Sequence, residues 1–182
     1  MPTPRLKTIY RETVVPALME RFSIGNRMAL PRLEKITVSM GVGRATENRK
    51  FLDDSARDLA LITGQKPKIT VARGSVSGFR LRKGNAIGCM VTLRGPKMYE
   101  FFDRLVSVVI PRIRDFRGLS PRAFDGRGNY NMGLSEQVVF PEIDLDTVEH
   151  TQGMNVSIRV KNGTDERSLE LLKGLGMPFR AN

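Results

Sequence analysis

The sequence predicts an α+β fold in which a mostly antiparallel sheet packs against helices on one face. Two observations support this prediction. Helical and alternating segments are interleaved in the order α-β-α-β-β-α-β-β-α, and in two places one strand follows another with no helix between them. This order is typical of a ferredoxin/RRM-like two-layer sandwich, here with long basic loops. The 182 residues show no internal repeat and no linker, which predicts a single domain over residues 1–182.

The individual elements follow from the spacing of apolar residues. Helical spacing predicts helices over residues 4–22, 47–62 and 97–110, and a last helix after the N-cap Thr164. Pro16 predicts a kink or an early end in the first helix, and Pro111 is expected to close the third. Alternation predicts strands over residues 34–41, 68–72, 86–94, 136–140 and 155–161. Cys89 alternates with apolar neighbours, so it is expected to be an unreactive core residue.

Composition restricts the class of partner. The chain has 30 Lys and Arg against 19 Asp and Glu, a net charge of +11, and this excess favours polyanions. No run of residues is long and apolar enough to span a bilayer, and the N-terminus lacks the apolar core of a secretion signal. With 1 Cys and 1 His, the chain cannot form an intramolecular disulfide or an ordinary zinc site, and it suits a reducing cytoplasm. His150 lies in an acid-containing stretch and is expected at the surface.

Two basic loops are candidate binding sites. Residues 73–83 carry four cations and no acid around Phe79, a pattern that favours contact with a phosphate backbone over a plain solvated loop. Residues 112–133 have no period and mix five arginines with aromatic side chains. This second loop is expected to contact either RNA or protein. In the alternative, Phe116 and Phe124 attach it to the core and its arginines keep it soluble.

The motifs that would indicate an enzyme are weak or missing. Gly41 and Gly43 resemble the start of a dinucleotide-binding G-x-G-x-x-G, but Thr46 stands at the third glycine and no suitably placed acid follows. A nucleic-acid-modifying enzyme would need a metal cluster or an activated nucleophile, and neither is visible. A cationic adaptor for acidic proteins or membranes is the third alternative. The basic loops favour an RNA-binding protein, and the other two alternatives stay open at this point.

Long strings in the chain closely resemble the ribosomal protein five family of the bacterial large subunit. These strings are LALITGQKP (59–67), GFRLRKG (78–84), MVTLRG (90–95), FFDRLVSVVIPRIRDFRGLS (101–120), FDGRGNYNMG (124–133) and EQVVFPEID (136–144). The similarity covers nearly the whole chain. One departure is Ser39, which stands where the family usually has asparagine, and another is Gly74, where it usually has lysine.

The resemblance implies a structural constituent of the large subunit that holds 5S rRNA with its sheet and first helix and helps attach it to 23S rRNA. The implied rRNA-binding residues are Lys7, Arg11, Ser39, Gln65, Thr70, Thr92 and Arg94. A hairpin is expected to contact peptidyl-site tRNA through Arg73, Ser75, Arg80, Arg82 and Lys83. Contact with small-subunit ribosomal protein thirteen is expected through Arg112, Arg114, Arg117, Arg122 and Phe124.

The remaining expectations concern partners and location. The family implies further contacts with other ribosomal proteins of the central protuberance. It implies a ribosome-bound, cytoplasmic protein that participates in translation. No cofactor, metal, membrane or small-molecule substrate is expected.

Overall fold

A computed structural model describes residues 3–145 and 148–180 and confirms the α+β two-layer fold. Its residues group into two compact units. Unit 1 comprises Met1–Ile36, Leu93–Met132 and Ser157–Asn182, and unit 2 comprises Thr37–Thr92 and Gly133–Val156. That the chain behaves as a single domain stays a prediction.

The sheet has five strands, in the spatial order β2-β3-β1-β5-β4. The strands are β1 (Arg32–Gly41), β2 (Lys68–Val71), β3 (Ala86–Leu93), β4 (Tyr130–Leu134) and β5 (Met154–Lys161). Alternate residues of β1, β3 and β5 are buried, as the sequence pattern predicts. Strand β2 pairs antiparallel with β3, with Thr70 opposite Gly88 and Lys68 opposite Met90.

The helices are α1 (Arg5–Ile9), α2 (Val15–Phe22), α3 (Lys50–Thr63), α4 (Gly95–Arg104) and α5 (Asp165–Gly174). The Thr164 hydroxyl accepts a hydrogen bond from the backbone N–H of Arg167 at 3.4 Å, so the predicted N-cap of α5 is confirmed. None of the helices within residues 3–145 and 148–180 is both long enough and apolar enough to cross a bilayer.

Each of two prolines lies shortly after a π-helical turn. A π-helical turn, Tyr10–Val14, joins α1 to α2, and the N–H of Val15 bonds to the carbonyl of Tyr10, five residues back. The helix therefore continues to Phe22 through Pro16. Proline has no N–H and its ring needs extra space, and it lies directly after the point where the backbone bonds have changed from i→i−4 to i→i−5. A second π turn, Leu105–Val109, precedes the short 3₁₀ turn that contains Pro111.

The fourth strand lies earlier in the chain than predicted. Residues 136–140 were expected to form a strand, but Gln137–Val139 form a 3₁₀ turn, and the strand is Tyr130–Leu134. The cause is the buried Gln137 side chain, which donates to the carbonyl of His150 at 2.8 Å and accepts from the N–H of Gln152 at 2.6 Å. These bonds hold the segment as a turn. Consequently residues 130–133, expected to be irregular, belong to β4.

The surface position expected for His150 is only partly correct, because the residue is half-buried. Both ring nitrogens are buried, and the ring packs edge-on against Phe51 with centroids 4.7 Å apart. An aromatic contact of this kind needs no regular spacing in sequence, so the acidic neighbours of His150 were a misleading signal.

Cys89 lies in the core, as predicted, with 1% of its surface exposed. Burial, together with the nearby charge of Asp58, raises the pKa of the Cys89 thiol to about 11. Only on the order of one molecule in a thousand would then carry a thiolate at pH 8.

We expect native Cys89 to react very slowly with iodoacetamide at pH 8, and to react faster as the pH rises toward the pKa. Denaturant should restore ordinary reactivity. Mass spectrometry of timed samples measures the modified fraction. Cys89→Val should fold and bind RNA normally, because valine supplies a similar apolar volume. Rapid labelling of the native protein at pH 8 would contradict the assignment.

Candidate nucleic-acid interface

Unit 2 presents a polar sheet face on β1, β2 and β3. Val91 and Leu93 are buried on either side of Thr92, so the Thr92 hydroxyl lies on the opposite face, half-buried. Ser39 stands in the same relation to the buried Val38 and Met40. Both hydroxyls are therefore directed away from the core.

Gly88 lets Thr70 lie close to the neighbouring backbone on this polar face. An added Cβ at Gly88 would fall 2.6 Å from the Met40 carbonyl oxygen and 2.9 Å from the Thr70 hydroxyl oxygen. A larger residue would displace that hydroxyl. Gln65 follows the left-handed Gly64 that ends α3, and its side chain is exposed just before β2. Ser39, Gln65, Thr70 and Thr92 are thus all in unit 2, on or beside its polar strands.

Unit 1 holds a cluster of arginines around Tyr10. The Tyr10 hydroxyl donates to the carbonyl of Pro31 at 3.0 Å. Burial raises the pKa of Tyr10, and the positive charges of Arg32 and Arg27 act in the opposite direction. Burial likewise raises the pKa of Tyr99, against the charges of Arg32 and Arg11. Three guanidinium groups, those of Arg11, Arg27 and Arg32, therefore lie near these two rings.

Arg27 and Arg32 were missed by the sequence analysis. Their signal was present, since no acid occurs between Glu20 and Glu34. All three arginines are exposed, and none forms an ion pair in the part of the chain that the structure describes. Lys7 is half-buried on α1, and Arg94 is exposed at the N-cap of α4, so both of these expected rRNA contacts are also in unit 1.

The hairpin between β2 and β3 is an ordered basic arm. Val76 and Leu81 exchange backbone hydrogen bonds of 2.9 and 3.1 Å, which close the tip around a 3₁₀ turn, Ser77–Phe79. The Ser75 hydroxyl accepts from the N–H of Lys83 at 3.0 Å, so it ties the two sides of the arm together. The four expected cations, Arg73, Arg80, Arg82 and Lys83, are exposed and form no ion pair within residues 3–145 and 148–180.

The arginine loop, residues 112–129, is held in place at several points. Leu119 forms a backbone bridge with Phe179, through N–H···O bonds of 2.8 and 3.0 Å to Pro178 and Arg180. The Asp125 carboxylate accepts from the backbone N–H groups of Arg127 and Asn129, at 2.9 and 3.0 Å.

One aromatic residue of this loop, Phe124, packs inside unit 1. Phe124 contacts Tyr130 edge-on at 4.9 Å and stacks on Phe179 at 6.3 Å. This packing matches the alternative in which Phe124 attaches the loop to the core. The expected contact residues Arg112, Arg114, Arg117 and Arg122 remain exposed, and Arg180 is a further exposed cation beside them.

No group of three or more His, Cys, Asp or Glu side chains within residues 3–145 and 148–180 is arranged to hold a metal ion. Binding surfaces made of hydroxyls and arginines are the features that stand out.

Comparison with known proteins identifies the family to which the chain belongs. The family model described as Ribosomal protein L5 matches residues 26–82, and the model that describes the C-terminus of the same ribosomal family matches residues 86–179. The Large ribosomal subunit protein uL5 of Synechocystis sp. is 54% identical over 179 residues, covering 98% of this chain and 99% of the relative. That of Chlorobaculum tepidum is 56% identical over 176 residues, covering 97% and 96%. The chain therefore belongs to the ribosomal L5 family and is a structural protein of the large ribosomal subunit, not an enzyme.

Proposed function

We propose that this large-subunit protein binds 5S rRNA and helps attach it to the 23S rRNA of a cytoplasmic ribosome. The observation that carries the proposal is the polar sheet face of unit 2, where Ser39, Thr70 and Thr92 present hydroxyls away from the core. Hydroxyls on a sheet can bond ribose and phosphate oxygens, and RNA presents both along its shallow groove.

The arginine cluster of unit 1 supplies the second element of the proposal. Arg11, Arg27 and Arg32 are three exposed cations with no acid to neutralise them in the described chain. Phosphate contacts of this kind provide much of the affinity for RNA, and hydroxyl contacts fix the register. Lys7 and Arg94 are proposed to add to the same electrostatic attraction.

Thr92→Val tests the sheet face directly. The substitution keeps the β-branched shape and removes the hydroxyl, so we expect unchanged thermal unfolding and about fivefold weaker binding of 5S rRNA. The control is Thr151→Val, at an exposed position outside the strands, which should bind as the wild type does. Filter binding of labelled 5S rRNA measures both variants. If Thr92→Val folds normally and binds with wild-type affinity, the sheet face is not the site.

A second proposed function is contact with peptidyl-site tRNA through the hairpin arm. The favouring observation is charge: eight Lys and Arg and no acid occur between residues 59 and 99. Arg73, Arg80, Arg82 and Lys83 are exposed on an arm whose own hydrogen bonds leave them unpaired in the described structure. Such an arm is suited to a polyanion other than the one held by the sheet face.

The arginine loop is proposed to contact the small subunit through protein thirteen, with Arg112, Arg114, Arg117 and Arg122 as contact residues. Its backbone is already fixed by the Leu119–Phe179 bridge and by Asp125. Binding would therefore cost little ordering entropy, which favours a protein interface made and broken repeatedly. Other proteins of the central protuberance are proposed as additional neighbours.

A further inference from the structure

The hairpin tip combines an exposed aromatic ring with exposed cations. Phe79 is the most exposed large apolar side chain in the described residues, with 77% of its surface accessible. Val71 and Val76, on the same arm, are 55% and 45% exposed. A phenyl ring left in water needs an explanation, because burying it would contribute about 2 kcal/mol.

The ring is presented by a defined backbone. The N–H of Phe79 bonds to the carbonyl of Val76 at 3.3 Å, and Arg80 follows with a left-handed φ of 52°. The Val76–Leu81 bridge closes the turn on both sides. A left-handed arginine is an uncommon conformation, so the hydrogen bonds must hold it. The tip is thus a built turn that displays Phe79 next to Arg80 and Arg82.

We infer that Phe79 stacks on an exposed nucleobase, so the hairpin partner is RNA with an unpaired base or an open end, rather than a continuous duplex backbone. This inference rests on the proposed RNA contact of the hairpin and specifies its chemistry. Arginines alone would suffice for a duplex, whose bases are covered and whose phosphates carry the interaction. An aromatic ring gains only where a base presents its face, and this is how single-stranded regions of RNA are bound.

Charge favours RNA over an uncharged protein pocket as the partner of Phe79. A pocket that accepted this ring would also have to face Arg80, Arg82 and Lys83, with no acid on the arm to balance them. An RNA loop supplies both a flat base and phosphates within one structure. The exposed valines can pack on the sugar and on the edge of the base.

The test uses the full-length protein and two RNA probes. One is a single-stranded 12-nucleotide RNA, and the other is a 12-base-pair duplex closed at both ends by non-nucleotide linkers that carry no base. Phe79→Leu keeps an apolar side chain and removes the ring, and Phe79→Tyr keeps the ring. Met28→Ala, at another highly exposed apolar position outside the hairpin, is the matched control.

We expect Phe79→Leu to weaken binding of the single strand roughly tenfold and to change duplex binding less than twofold. Phe79→Tyr and Met28→Ala should bind both probes as the wild type does. Ultraviolet irradiation should also cross-link the wild-type protein to the single strand at Phe79. Equal effects of Phe79→Leu on both probes, or no effect on either, would overturn the stacking inference.

A triple variant distinguishes failure of the stacking inference from failure of the proposed RNA contact. It carries Arg80→Ala, Arg82→Ala and Lys83→Ala. If the triple variant weakens binding of both probes while Phe79→Leu has no effect, the hairpin binds RNA and only the stacking is wrong. If neither variant changes binding of either probe, the hairpin does not bind RNA and both proposals fail.

Discussion

Replacing Arg11, Arg27 and Arg32 together with glutamine is expected to lower the affinity for 5S rRNA about a hundredfold at 0.1 M salt. Each of these arginines is exposed and has no acidic partner in the described structure, so each is available to neutralise a phosphate. The slope of the logarithm of the association constant against the logarithm of salt concentration should become shallower by about three, one for each contact. Fluorescence anisotropy at four salt concentrations measures both quantities.

The matched control removes the same net charge from cations that already have acidic neighbours. These are Arg49, Arg57 and Lys173, whose nearest carboxylate oxygens lie 4.0, 3.6 and 3.4 Å away. Exposed ion pairs contribute little to stability, so this variant should fold and should lose no more than a few-fold in affinity. Equal losses in the two triple variants would mean that overall charge, and not the arginine cluster, provides the binding.

The second large effect is expected in the hairpin. Changing Arg80, Arg82 and Lys83 to alanine should leave 5S rRNA affinity of the isolated protein within about twofold, because these cations are not on the sheet face. Ribosomes that carry the variant should release peptidyl-site tRNA several-fold faster, because three phosphate contacts are lost. Filter-bound tRNA retained over time gives the release rate.

The variant with Arg49, Arg57 and Lys173 replaced again serves as the charge control, and its ribosomes should retain tRNA normally. The opposite pattern has a clear meaning. If the hairpin variant loses most of its 5S rRNA affinity while tRNA release is unchanged, the two RNA surfaces have been assigned the wrong way round.

Most of the fold could be predicted because the strands bury one face. Alternation in β1, β3 and β5 has a period that no helix shares, so the strands were placed and Cys89 was assigned to the core correctly. The same alternation placed Ser39 and Thr92 on the opposite face. The family resemblance, and not the alternation, indicated which polar residues on that face are expected to contact rRNA.

The remaining errors have tertiary causes. Residues 136–140 have the composition of a strand, but Gln137 bonds to residues 13 and 15 positions away, which no local pattern reveals. Pro16, by contrast, was expected to kink its helix or end it early, and the α-helix is interrupted just before it by the π turn Tyr10–Val14. Arg27 and Arg32 were missed because they lie six and five positions after the preceding arginine, with no acid or motif to mark them, and only folding brings them beside Tyr10.

The sequence likewise did not reveal that the backbone of the arginine loop is held in one conformation. Its lack of periodicity suggested irregular structure. The loop is indeed irregular, but backbone hydrogen bonds to residues 178 and 180 hold it in place. Gly118 has a φ of 93° and lies so close to the Arg180 backbone that an added Cβ would fall 2.8 Å from the Arg180 nitrogen. A contact between residues so far apart in sequence is not encoded in any local spacing.

The most direct test of the account is a binding titration of the full-length protein with 5S rRNA and with a control RNA of equal length and scrambled sequence. We predict saturable, one-to-one binding of 5S rRNA that weakens steeply with salt. At 0.15 M salt the control should bind at least about a hundredfold more weakly. Equal affinity for the two RNAs, or an affinity for 5S rRNA that does not change with salt, would contradict the proposal that the protein binds 5S rRNA.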